Sequence, residues 1–258
     1  MILDDILRAT RADLPARKAA RPLATLEAAI ADLGPTRELA GALRQRGRVT
    51  AIAEFKRRSP SAGWIRERAR IADIVPRYLG AGAAALSVLT DETFFGGTLD
   101  DLRAARPLAG APILRKDFIV DEYQIAEARA AGADAILLIV AALDDAELRA
   151  LYAATRRWGV HALIEAHDAA EVARAVALEA PVIGINHRDL RTFTVDTTLA
   201  ARLRPSIPED RVLVAESGIR TREDVRRMGA ANIDAVLVGE TLMRAPDAGA
   251  ALAELLAP

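Results

Sequence analysis

From residue 49 onward the chain repeats one pattern: a short run of Val, Ile, Leu and Ala, then a polar or glycine-containing turn, then apolar residues spaced three and four apart. The runs begin near Thr50, Ala84, Pro112, Asp134, Val160, Pro181, Arg211 and Asp234, at intervals of 21 to 34 residues that suit strand–helix units. Their interiors are apolar at consecutive positions, as at 135–140 and 235–238, which predicts parallel strands covered on both faces. The helical spacing is clearest after the first run, where Ile71, Ile74, Val75, Tyr78 and Leu79 form one stripe. Asp121 with Gln124, Asp144 with Glu147 and Asp168 with Glu171 have the spacing of reciprocal N-terminal caps, and Gly132 stands where a helix should end.

The stretch before this rhythm differs. Leu23, Leu26, Ile30 and Leu33 predict a helix stopped by Gly34-Pro35, and no strand pattern precedes Val49. The expectation is an α/β protein: a helical extension over residues 1–48 packed on a (β/α)8 TIM barrel over residues 49–258, the two forming one domain. An open doubly wound sheet is the competing arrangement, but it would usually show a glycine fingerprint after its first strand, and none follows Phe55.

In such a barrel, chemistry belongs where strands hand over to the following loops. Glu54 and Lys56 share one face at the end of the first strand, just before Ser59-Pro60 breaks it. Lys116-Asp117 end the third strand, Glu165 the fifth, Asn186 and Arg188 the sixth, and Glu216-Ser217-Gly218 the seventh. Each has an ordinary reading as a solvated ion pair or a rim charge. Their common position at one mouth is what makes them a candidate proton-transfer set. Glu165, among apolar neighbours, is expected to have a raised pKa and to act as acid or base near neutrality. Ser217-Gly218 and Gly239-Glu240 follow strands seven and eight, where barrels often bind phosphate through backbone N–H groups, and Ser59 adds a hydroxyl. A phosphorylated small molecule is the expected substrate.

Composition removes several other classes. Thirty-five Lys and Arg against 36 Asp and Glu leave no general attraction to nucleic acid or anionic lipid. Without cysteine there is no thiolate nucleophile, disulfide or Cys-based zinc site, and three scattered histidines make a His-rich metal site an unpromising reading. No apolar run reaches the ~18 residues of a membrane span, and the acidic start Met1-Ile-Leu-Asp-Asp reads as an amphipathic helix, not a signal peptide. The expectation is a cytoplasmic protein, monomeric by default, with no metal or cofactor. His187, near the mouth, receives no role.

The segment Ile-Ala-Glu-Phe-Lys-Arg-Arg-Ser-Pro-Ser-Ala-Gly at 52–63 closely resembles the signature of indole-3-glycerol phosphate synthases. Later segments resemble that family's motifs in the same order: 86–97, 114–125, 163–167, 184–190, 215–219 and 238–243. The resemblance implies a lyase of tryptophan biosynthesis that closes the ring of 1-(2-carboxyphenylamino)-1-deoxyribulose 5-phosphate, losing carbon dioxide and water. It implies Lys116 as general acid, Glu165 as proton acceptor and donor in dehydration, and Lys56, steadied by Glu54, on the substrate carboxylate and in later proton transfer. Asn186, Arg188, Glu216 and Ser217 would orient substrate and catalytic groups. Ser59, Gly218, Gly239 and the backbone of Glu240 would surround the phosphate, while Phe95, Phe118 and Pro60 would wall the aromatic ring. It also implies that the leading helical segment and the loop after the first strand lie over the mouth. His187 stands where the family usually has asparagine, Ala62 replaces a frequent basic residue, and Arg57-Arg58 makes the first loop more basic. The rivals are phosphoribosylanthranilate isomerase, whose expected Cys–Asp pair a chain without cysteine cannot supply, and a non-catalytic phosphate-binding barrel, which should lack one of Lys56, Lys116 or Glu165.

Overall fold

The computed structural model describes residues 2–257; Met1 and Pro258, at the ends of the two expected segments, lie outside them. Eight strands begin within one residue of the expected starts: β1 Thr50–Phe55, β2 Ala85–Leu89, β3 Ile113–Lys116, β4 Ala135–Ile139, β5 His161–Ala166, β6 Val182–Asn186, β7 Val212–Glu216 and β8 Ala235–Val238. All pair in parallel with their sequence neighbours, and β8 returns to β1 through Thr50↔Ala235 to Ala53↔Val238. The sheet therefore closes, and the fold is a (β/α)8 barrel.

Closure follows from the double-sided apolar pattern. Residues of one parity, including Ile52, Leu114, Leu137, Leu163, Val214 and Leu237, fill the interior. The other parity, including Ala53, Val88, Ile136, Ile164 and Ile183, packs beneath the helices. Because side chains alternate, the polar residues that share the interior parity emerge at the C-terminal end of the barrel. Arg115 has the outward parity and is fully buried between β3 and the helix Glu122–Ala130. There it meets Asp117 and Glu127 at 2.8 and 3.0 Å.

Three helices precede β1: α1 Ile2–Ala20, α2 Leu23–Ala31 and α3 Leu39–Leu43. The expected stripe in α2 is only partly realised: Leu26 is buried, but Leu23 and Leu33 are exposed and the helix ends before Gly34. α1 is held to the helix Glu122–Ala130 by Arg17–Glu127 and by Tyr123, whose hydroxyl lies 3.0 and 2.9 Å from the carbonyls of Arg17 and Arg21. Lys18–Asp121 adds an ion pair at the foot of that helix. Reciprocal caps form at Asp121/Gln124 and Asp144/Glu147 as expected, and two more form at Thr98/Asp101 and Thr221/Asp224. At Asp168 only half the box closes, since Asp168 accepts from Glu171 N and Glu171 turns elsewhere.

Candidate active site

A cavity of about 530 Å³ opens at the C-terminal ends of the strands. Glu54, Lys56, Ser59 and Pro60 reach it from β1 and its loop, Phe95 from the short helix Glu92–Phe95 after β2, and Lys116 and Phe118 from β3 and beyond. Glu165 contributes from β5, Asn186 and Arg188 from β6, Glu216, Ser217 and Gly218 from β7, and Gly239 and Glu240 from the end of β8. All the residues singled out in the sequence thus line one space. Ile2, Leu3 and Ile6 of α1 complete part of its wall.

Two ammonium groups are each set against buried carboxylates. Lys56 Nζ lies 2.8 Å from Glu54 Oε1, and Ser87 donates to Glu54 Oε2 at 3.3 Å. Lys116 Nζ donates to Glu165 Oε2 at 3.0 Å and lies 3.7 Å from Glu216 Oε2. Burial pulls the Lys116 pKa down, but Glu165, Glu216 and Glu54 outweigh it and leave the ammonium well above its ordinary range. Glu165, expected to have a raised pKa, has a lowered one. Burial pushes Glu165 up, yet Lys116 and His167 hold it below the usual carboxylate range. Glu216 is pushed up by burial and by the neighbouring Glu165 charge, against the weaker pull of Lys116. The shared site thus drives the two carboxyls apart, Glu165 toward the stronger acid and Glu216 toward the weaker.

Asn186 Oδ1 accepts from Arg188 N at 3.0 Å and from Ser217 Oγ at 2.8 Å, joining β6 to β7 across the mouth. Ser217 has φ +67°, which turns the loop after β7 sharply. Glu240 pairs its carboxylate with Arg244 at 2.9 Å, so its backbone is the part left to a ligand. The rings of Phe95 and Phe118 stand 6.0 Å apart, tilted by 35°. This arrangement offers a charged acid, a charged base, an apolar slot and backbone donors around one small molecule.

The family model described as "Indole-3-glycerol phosphate synthase" matches residues 3–255. The chain belongs to the indole-3-glycerol phosphate synthase family. The indole-3-glycerol phosphate synthase of Albidiferax ferrireducens is 50% identical over 259 residues, covering 99% of this chain and 98% of that one. Indole-3-glycerol phosphate synthase 2 of Streptomyces coelicolor is 53% identical over 240 residues, with 93% of each chain covered. A solved phosphoribosylanthranilate isomerase of Thermotoga maritima superposes with a TM-score of 0.58 at 15% identity, covering 80% of this chain and 96% of that one, a likeness of fold alone.

Two contributors to this synthase-family site went unread in the sequence. Gly184 lies inside β6, where a Cβ would come within 2.3 Å of Glu216 Oε1; a glycine interrupting Val-Ile-Gly-Ile-Asn was the available signal. Gly239, read only as a phosphate neighbour, also leaves room for Glu54 Oε1, which a Cβ would approach to 2.3 Å. His167, two residues beyond Glu165, lies 3.3 Å from its Oε1; its parity and its place at the end of the family-like segment 163–167 were the available signals.

Proposed function

We propose that the cavity carries out the family reaction, decarboxylating and dehydrating ring closure of 1-(2-carboxyphenylamino)-1-deoxyribulose 5-phosphate to indole-3-glycerol phosphate, in the following way. The substrate's aromatic ring lies against Phe95, Phe118 and Pro60, and its carboxylate lies on Lys56, which Glu54 steadies. Its phosphate takes the Ser59 hydroxyl and the backbone N–H groups of Gly218, Gly239 and Glu240. The ring carbon bearing the carboxylate attacks the ketone carbon, and Lys116 gives a proton to the ketone oxygen as it becomes a hydroxyl. Loss of carbon dioxide leaves its electron pair in the ring. Lys56 then gives the hydroxyl a proton so that it departs as water, and Glu165 accepts the proton released from the new ring as the indole double bond forms. Arg188, Asn186, Ser217 and Glu216 orient these groups.

The observation that carries this reading is the Lys116–Glu165 contact inside the cavity. An ammonium held charged beside an ionised carboxylate supplies an acid and a base at once, and the enclosed space keeps competing water away. We further propose that residues 1–48 act as an extension over the mouth, since α1 supplies Ile2, Leu3 and Ile6 to the wall. A cytoplasmic monomer fits this reading, because phosphorylated metabolites do not cross membranes freely and one chain supplies the whole cavity. The test follows indole fluorescence with the carboxyphenylamino substrate. Turnover by the wild type is expected, with a loss of about 10²–10⁴-fold in Lys116→Met. A wild type without turnover, or an undiminished Lys116→Met, overturns the assignment.

A further inference from the structure

Glu171 is the third residue of the helix Ala169–Ala177, where its carboxylate would ordinarily reach back to the backbone N–H of Asp168. It reaches one residue further. Its Oε2 accepts from His167 N at 2.8 Å and from the ring Nδ1 at 3.0 Å. A carboxylate has nothing to donate, so Nδ1 carries a proton. The other ring nitrogen, Nε2, is buried and faces Glu165 Oε1 at 3.3 Å, out of line for an ordinary hydrogen bond. A bare lone pair aimed at that carboxylate would be repelled, whereas a proton on Nε2 makes the contact attractive. The ring does not line the cavity, so it acts on substrate only through Glu165.

We propose that His167, held as an imidazolium by Glu171, is a positioning residue that grips one oxygen of Glu165 while Lys116 grips the other. This inference rests on the reading of Glu165 as the base. Lys116 at Oε2 and His167 at Oε1 fix the carboxylate from both sides, which sets the oxygen presented to substrate. The charged groups around the ring agree. Glu165 at its own strand end and Glu171 on the following helix each stand against one ring nitrogen, and Asp189 in the loop after β6 is held below its ordinary range chiefly by the backbone N–H of Arg191, with the ring's charge the smallest contribution. Burial pulls the His167 pKa down, but Glu165 and Glu171 raise it to about 10.

Histidine-labelled enzyme and one variant test this. With only three histidines, each ring signal is assignable by substitution. The nitrogen shifts of His167 at about pH 8 are expected to be those of an imidazolium. Those of His187 should be neutral, since burial draws its pKa down more than its bond to Ser217 O raises it. His167→Asn is expected to lower kcat by about 10- to 100-fold with KM within about twofold, and to move the acid limb of the kcat–pH profile upward as Glu165 loses a cationic partner. A neutral His167 ring in the wild type overturns the proposal without any variant needing to fold. An active wild type matched by His167→Asn in kcat and in acid limb overturns it too, while leaving the synthase reading intact.

Discussion

Glu165 and Glu216 face one ammonium, and their acidities are driven in opposite directions. The distances decide this: Lys116 is 3.0 Å from Glu165 and 3.7 Å from Glu216, and His167 stands by the first and not the second. Burial and the Glu165 charge raise the Glu216 pKa on folding, so the native state holds a proton there more readily than the unfolded chain, and folding grows less favourable as pH rises from the ordinary carboxylate pKa toward the folded one. Glu216→Gln should then gain thermal stability over the wild type as pH is raised above the ordinary carboxylate pKa of about 4.3, read from paired melting curves. His167 has the same sign. Its folded pKa of about 10 lies above the ordinary 6.5, so its contribution is complete below about pH 6.5 and is lost as pH rises through about 10. The melting-point gap between wild type and His167→Asn should narrow over that interval. Gly184→Ala should fold, at a cost of about 1–3 kcal/mol in urea unfolding, and lose activity as the new methyl displaces Glu216.

At the scale of elements, the strand end carrying Lys116 is anchored from outside the barrel. Arg115 meets Asp117 and Glu127, and donates to Thr90 Oγ1 and the Gln124 carbonyl, each at 2.9 Å. Burial raises the Asp117 pKa, but Arg115 and Thr90 more than offset it and leave the carboxyl below its ordinary range. Arg115→Met would leave the buried Asp117 without a cation and Glu127 with Arg17 alone, and a loss of about 3–5 kcal/mol in urea unfolding is expected. Tyr123→Phe removes the hydroxyl that joins α1 to the helix Glu122–Ala130, and should cost about 0.5–1.5 kcal/mol, with faster proteolysis within α1. Element positions were largely readable beforehand, because strand and helix periods and capping residues act within a few neighbours. The half-closed cap at Asp168 was not readable. Glu171 has two acceptable backbone partners there, and the pull of a buried histidine chose between them.

Across the whole molecule, the barrel seams are unequal: β3 and β4 are in register through two residue pairs, β4 and β5 through five. Hydrogen exchange should open amides shared across β3–β4 before those shared across β4–β5. The sequence by itself determined the eight strand–helix units, the double-sided apolar strands and the polar residues at their C-terminal ends, since each is written in local spacing. It also carried the family motifs. Tertiary closure alone decided how Lys116 drives the two carboxyls beside it apart and why β6 must carry Gly184. Those outcomes depend on distances of a few ångströms between residues tens of positions apart, and such distances exist only once the sheet has closed on itself.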